Sequence, residues 1–432
     1  MKLKRILSIA LAGIMSLTML AGCGGGSGSG SATRGGGSGS AAPSTGKTVV
    51  YWSMWESTEP QGQAIAQAVE SFQKETGIKV DLQFKGRTGN REALQPALDA
   101  GQTIDLFDED IDRVNETYKN YIMDLEELSA KYKYEETAIS GLIQACRDAS
   151  FDGKLRTIPY QPNVFAVFYN QKIFDEAGVT AVPTTWDELL DVCAKIKEAG
   201  YVPITCDDAY ITSMVGYHLG RLVGEEGVRD IVNNKDWDNP AVRKFAEDYA
   251  ELASLGYFSP NVASNVWPTG QNIELAGGTV AMYLNGSWLP NEVKATAGED
   301  FQWGCFSYPA VEGGVNGTET SNYGAQVFAI NNKSAVADEA FQLIQYLTKG
   351  EADKNLSVMS TGIPADTTNA EWPTLLSTVK PVMDSLTNRW TWAVGVESNV
   401  NATPVIKDAT LKLCGGSLTP DQYIETLKTS AG

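Results

Sequence analysis

Histidine is almost missing from this 432-residue chain: His218 stands alone, inside Met214-Val-Gly-Tyr-His-Leu-Gly220. One imidazole excludes a multi-histidine zinc site. Any Ser-His-Asp arrangement would have to use His218, which reads more simply as a buried structural residue. Cysteine is nearly as scarce. Apart from Cys23 there are Cys146, Cys193, Cys206, Cys305 and Cys414, an odd and scattered set without a C-x-x-C pair. Such a set is a poor disulfide framework and no metal or redox site, and it fits buried small hydrophobes, with one disulfide left open. Cations are in deficit as well, with 34 Lys and Arg against 53 Asp and Glu and a net charge of -19. That balance argues against nucleic acid or an anionic lipid surface as a partner and fits a neutral or cationic ligand. Beyond the first 22 residues there is no apolar run long enough to cross a membrane.

Those first residues form an export signal. Lys2, Lys4 and Arg5 precede an apolar run from Ile6 to Leu20. Its length of about 15 residues suits a signal-peptide core and falls short of the roughly 20 needed for a span. Leu20-Ala21-Gly22-Cys23 then resembles the bacterial lipobox, which implies removal of residues 1-22 and a lipid (palmitate) on Cys23. Residues 23-46 are nearly all Gly, Ser and Ala, a composition that cannot bury enough surface to fold. As a flexible coil this linker has a reach of about 25 Å, a leash between an anchor and a folded body.

The remaining chain is long enough for two lobes of ordinary size. Lys47–Trp52 reads as a strand, and Ile65, Val69 and Phe72 recur at helical spacing before a stop at Gly77. Val80, Leu82 and Phe84 alternate as a second strand. A helix with Leu94 and Leu98 ends at Gly101, and Ile104-Asp-Leu-Phe107 is a third strand. This alternation predicts parallel strands with right-handed crossovers. The same reading gives strands at Val164–Tyr169, Val202–Thr205, Thr279–Leu284 and Gln326–Ile330. Thr185-x-x-Glu188 is a capping box opening a helix that buries Leu189, Val192, Cys193 and Ile196. Further helices are expected at Ala335–Thr348, Ala402–Leu413 and, after Thr419-Pro420, Asp421–Lys428. An open α/β sheet takes its ligands beyond the carboxyl ends of its strands.

Several motifs now stand in order: Gly153-Lys-Leu-Arg-Thr-Ile-Pro-Tyr160, Phe168-Tyr-Asn170, Phe174-Asp-Glu-Ala-Gly178 and Pro183-Thr-Thr-Trp-Asp-Glu-Leu189. Gly277-Gly-Thr-Val-Ala-Met282, Asn285-Gly-Ser-Trp288, Ala340-Phe-Gln-Leu-Ile-Gln-Tyr-Leu347 and Gly362-Ile-Pro364 follow. Together they resemble the family 1 extracellular solute-binding proteins of ABC importers, which chiefly bind carbohydrates. The resemblance implies an α/β, two-lobed, periplasmic-binding-protein-like fold of type II topology with a ligand cleft between the lobes. It implies lobe 1 from 47-163 plus 326-365 and lobe 2 from 164-325 plus 366-432, with crossings near Asn163–Val164, Gln326 and Asp366. The partners implied are a small carbohydrate and the transmembrane subunits of an ABC permease, with the protein a monomer needing no cofactor and touching the membrane only through its lipid, outside the cell.

A sugar has apolar C–H faces and a hydroxyl edge, so its pocket needs aromatic plates and a few polar side chains. The candidates follow from strand ends and turns. Trp55 and Glu56 lie past the first strand, Arg87 beyond the second, and Asp108 and Glu109 after the third. Tyr160 and Gln161 mark the first crossing, and Asp207 and Asp208 end the Val202–Thr205 strand. Asn285 and Trp288 share a turn, with Trp288 the leading stacking residue. Trp267 and Tyr323 come next, and Trp390 and Trp392 in Arg389-Trp-Thr-Trp392 form an aromatic cluster at one end of the cleft. Trp186 and Trp237 read as structural. Asp108-Glu-Asp110 with Asp112 lacks the glycine and distal glutamate of a calcium loop.

Two other functions compete. A glycoside hydrolase on an eight-fold barrel needs strands ending in acids around the entire chain, and the mixed stretch from Pro240 to Gly324 breaks that rhythm. A polyamine or other small solute on the same fold would suit the acids. The 10 Trp and 17 Tyr suit a sugar at least as well.

Overall fold

The computed structural model describes residues 46-298 and 300-431, so the expected signal segment, Cys23 and the linker up to residue 45 lie outside the described residues. The strands are β1 (Thr48–Ser53), β2 (Lys79–Phe84), β3 (Leu106–Asp110), β4 (Ile158–Asn170), β5 (Val202–Thr205), β6 (Val280–Gly286), β7 (Trp303–Phe306), β8 (Thr320–Ile330) and β9 (Asn388–Trp390). Their order is β2-β1-β3-β8-β4-β6-β5, with β7 on β4 and β9 on β8. β1 pairs in parallel with β2 and β3, as the alternation of strand and helix predicts. The Pro60–Thr76 helix between them starts on a proline that needs no N–H partner, buries Ile65, Val69 and Phe72, and stops where Gly77 turns left-handed.

Beyond Pro159 the expectation needs correction. β4 runs antiparallel to β6, β7 and β8, so the sheet is mixed. β4 and β8 are also much longer than the patterns Val164–Tyr169 and Gln326–Ile330 suggest. Prolines at 159 and 162 argue against a strand because they cannot donate to a ladder. The chain accommodates them with a register shift between Tyr160 and Pro162 and a left-handed Gln161 at φ 45°.

This length has a consequence for packing. Ile158 and Tyr160 of β4, with Val327–Ile330 of β8, complete one hydrophobic core built on β1, β2, β3 and the Ala337–Leu347 helix. Val164–Tyr169 of β4 belong to a second core with β6, β7, the capped Trp186–Glu198 helix and the C-terminal helices Thr403–Cys414 and Pro420–Ser430. The fold is therefore α/β with two lobes. The Ile211–Asn234 helix escaped the sequence reading because residues 211-221 are buried all round and show no apolar stripe.

Scarce residues settle into the cores. All five described cysteines are free thiols, four of them buried. His218 is fully buried, with Nε2 on Asp248 at 2.9 Å and Nδ1 on the Tyr308 hydroxyl at 3.1 Å, which leaves no ring nitrogen for a serine. Burial lowers its pKa. Trp186 and Trp237 are buried in the same core. Among the described residues no helix is long and apolar enough to cross a membrane.

The carboxyl end of β3 holds a buried polar knot. Asp108 accepts the Met54 N–H at 3.1 Å and the Tyr160 hydroxyl, and Tyr160 in turn accepts the Trp55 indole N–H at 2.7 Å. Burial pushes the Asp108 carboxyl from its ordinary 3.8 up to about 7, with the neighbouring Glu109 charge adding to the rise. Above about pH 4 the unfolded chain releases this proton while the folded chain keeps it. Stability contributed here therefore falls as pH rises from about 4 to about 7. Asp108→Asn should flatten that slope, read as the urea midpoint over a pH series. A slope equal to wild type would remove Asp108 as its source.

Candidate ligand cleft

The two cores face each other across a cavity of about 900 Å3. Strand alternation places its back wall: Asn322, Gly324 and Gln326 of β8 line it, whereas Tyr323 points to a separate rear cavity of about 570 Å3 with Trp372 and Lys380. One side wall comes from the first core, with Met54 after β1, Arg87 and Arg91 on the Gly86–Asp99 helix, and Asp110 and Asp112 after β3. The other comes from the second core, with Tyr210 after β5, Trp288 after β6, and the segment from Arg389 to Val400.

Aromatic rings dominate that second wall. Buried Phe165 is the floor, and the rings of Trp392, Trp288 and Tyr210 lie 5.6, 5.7 and 5.7 Å from it. Trp288 owes its pose to Gly286: a Cβ there would stand 2.2 Å from the indole, which folds back over the glycine. Trp392 is 38% exposed and donates its indole N–H to Glu397 at 3.1 Å.

The aim of Trp392 depends on strained backbone. Ala393, Val394 and Gly395 follow it at φ 47°, 52° and 78°. A left-handed β-branched valine is costly, about 1–3 kcal/mol, and persists only where the surroundings over-determine it. Here Gly216 and Gly220, one turn apart on the Ile211–Asn234 helix, admit the segment, and a Cβ on Gly216 would meet the Ala393 carbonyl oxygen at 2.1 Å. Beneath it the buried Arg221 guanidinium spans the carbonyls of Tyr308, Pro309 and Thr320 and sits 4.7 Å over the Trp390 ring. The segment is thus clamped from below.

Charge bridges the walls. Arg389 holds both oxygens of Asp112, at 2.9 and 3.1 Å, and donates Nε to the Tyr323 carbonyl at 2.7 Å. Asp110 caps the Ile111–Thr117 helix through the N–H groups of Asp112 and Arg113. Burial, then the Asp112 charge, raises its carboxyl to about 6. Among the described residues no cluster of His, Cys, Asp or Glu could hold a metal ion.

Of the residues singled out from sequence, the cavity brings together Arg87, Trp288 and Trp392, with Asp110 and Asp112 of the acidic run and Arg389 of the aromatic cluster. Trp55, Asp108, Glu109, Tyr160, Asp207, Asn285 and Trp390 are buried, at most 4% exposed, and offer a ligand no surface in this arrangement. Their roles are internal. Trp55 and Tyr160 belong to the Asp108 knot, and Glu109 pairs with Arg91 at 3.0 Å. Asp207 accepts the N–H groups of Ala209 and Tyr210, and Asn285 accepts that of Gly286 at 2.6 Å. Glu56 is exposed but off the cavity, and Gln161 donates to Ser360. Asp208 accepts the Trp267 N–H, and Trp267 flanks a side pocket with Glu292. Sequence reasoning missed Tyr210, Arg91, Arg113 and Arg229. Tyr210 lies three residues past Asp207, within reach of the strand-end rule; the arginines sit on helices with no local signal.

Comparison with known proteins agrees with this architecture. The family model described as bacterial extracellular solute-binding protein matches residues 55-354. The diacetylchitobiose binding protein NgcE of Streptomyces coelicolor is 27% identical over 239 residues, 52% of this chain and 50% of that one. The multiple sugar-binding protein of Streptococcus mutans is 27% identical over 208 residues, 46% and 48%. This chain spans about half the length of the curated relatives it matches. Among solved structures, a chitin oligosaccharide binding protein superposes with TM-score 0.67 at 20% identity, over 89% of this chain and 98% of that one. The sugar-binding protein MalE of Xanthomonas citri gives 0.70 at 20%, over 89% and 96%. With two lobes around a cleft and the family model matched across most of its length, the chain belongs to the bacterial extracellular solute-binding proteins.

Proposed function

We propose that this protein captures a sugar or oligosaccharide in the cleft, without turning it over, and hands it to the permease of an ABC importer. The observation that carries the reading is the aromatic wall of Trp288, Trp392 and Tyr210 facing arginines and carboxylates across about 900 Å3. One wall suits the apolar face of a pyranose and the other its hydroxyl edge. Relatives named for diacetylchitobiose and multiple sugars support it. Lobe 1 is 47-163 plus 326-365 and lobe 2 is 164-325 plus 366-432, hinged near Asn163–Val164, Gln326 and Asp366. Closure is driven only by groups that touch the solute better in the closed form, so both walls must contribute.

Sugar binding should raise the melting temperature, because only the folded state binds. A thermal-shift screen over mono- and oligosaccharides checks this, and turnover of any of them by pure protein would sink the binding-only reading. Trp288→Ala should weaken the best hit at least tenfold, about 1.4 kcal/mol, in calorimetric titration. Unaltered affinity would take Trp288 out of the site. Gly216→Ala should also weaken the hit, by displacing the segment that aims Trp392; wild-type affinity there would show that the left-handed run does not govern binding.

The lipid on Cys23 keeps this monomer at the outer face of the cytoplasmic membrane, within reach of its permease. Cys23→Ala should release the protein into the medium with its sugar affinity intact. Retention in the membrane fraction would argue against the anchor.

A further inference from the structure

The described residues contain nine arginines and 21 lysines, yet five of those arginines and none of the lysines line the cleft. A cavity that needed only positive field would draw on the commoner cation. Selection of the planar five-donor fork points instead to ligand groups that take two parallel hydrogen bonds, as a carboxylate does. We propose that the solute is an acidic saccharide, whose uronate carboxylates are received by guanidinium groups on both walls of the cleft. This rests on the carbohydrate reading above and narrows it.

How each arginine spends its donors supports the assignment. Arg87 stacks on Trp55 at 4.5 Å and gives one nitrogen to Glu59 at 2.7 Å. Arg91 uses Nε and Nη2 on Glu109, and Arg229 uses the same pair on Glu225 and Thr391. Glu59, Glu109 and Glu225 are not among the residues that line the cavity, so they brace the forks from outside it and leave other N–H groups of each arginine unspent. Arg113 has no carboxylate partner among the described residues. The acids on the lining are mostly occupied: Asp112 by Arg389, Glu397 by Thr212 and Trp392, and one oxygen of Asp110 by backbone N–H groups. Exposed Glu116 and the second oxygen of Asp110 are left without a partner among the described residues on that lining. Among the charged groups of the lining, unspent donors therefore outnumber unspent acceptors. A neutral saccharide can accept from those donors singly through its hydroxyl and ring oxygens, but only a carboxylate offers a guanidinium two parallel acceptors and the opposite charge.

The test uses the full chain and oligosaccharide pairs of one skeleton, each uronate oligomer beside its carboxyl-reduced neutral counterpart, in thermal shift and calorimetric titration. The uronate member of the best pair should bind at least tenfold tighter, with a preference that shrinks as salt rises. Arg113→Gln should reduce that preference at least threefold while leaving the melting temperature of the free protein in place. Equal or tighter binding of the neutral member would overturn this inference and leave the carbohydrate reading standing. Binding by neither member of any pair would overturn both.

Discussion

The constraint on which the rest of this structure depends is the antiparallel pairing of β4 with β8. Each strand is long enough to serve two cores, so at β4 and β8 the chain passes between lobes as hydrogen-bonded strand and not as loose linker. The ladder fixes which residues face the cleft. Asn322, Gly324 and Gln326 look one way and Tyr323 the other because successive side chains of a strand alternate. Arg389 then fastens to the Tyr323 carbonyl through Nε and reaches both oxygens of Asp112 on the opposite wall through one Nη, so the spine also sets the geometry of that ion pair.

A second constraint acts at shorter range. The aromatic wall is held by close approach together with the Trp392 indole N–H on Glu397, and the close approach is possible only where Cβ is missing. Gly286 lies under the Trp288 ring, and Gly216 lies under the Ala393 carbonyl. The left-handed run through Val394 stores strain that packing on the Ile211–Asn234 helix must offset. Phe165, contributed by β4, is the surface on which the rings meet. The spine and the wall are therefore one construction.

Much of the fold was legible because it rests on local rules. The helix starting at Trp186 could be read from its Thr185–Glu188 box, and the Pro60–Thr76 helix from its spacing and Gly77. The strands that matter most were read short, because Pro159 and Pro162 argue locally against a ladder that tertiary pairing nonetheless imposes. The cleft was harder. Strand ends located Arg87 and Trp288, but the same rule selected Asp108, Asp207 and Asn285, whose side chains turn inward to serve backbone groups and neighbouring hydroxyls. A strand end states where a side chain begins and not which way it faces. The three arginines that local rules miss, Arg91, Arg113 and Arg229, come from helices whose packing onto the cleft is nonlocal information.

Charge makes the same point about scale. A net charge of -19 describes the field far from the surface, where contributions sum and salt screens them. Inside a cavity the decisive quantity is which donors and acceptors remain unspent within hydrogen-bond reach. There the acids that make the whole chain anionic act as braces: Glu109, fully buried, and Glu225 each hold an arginine in place from outside the lining. A carboxylate behind a guanidinium lowers the cost of its partial burial and fixes its plane, while leaving other N–H groups to point away from the pair. An acidic chain can thus present a cleft lined by forks, and the surplus of acid elsewhere is what allows the forks to be held still.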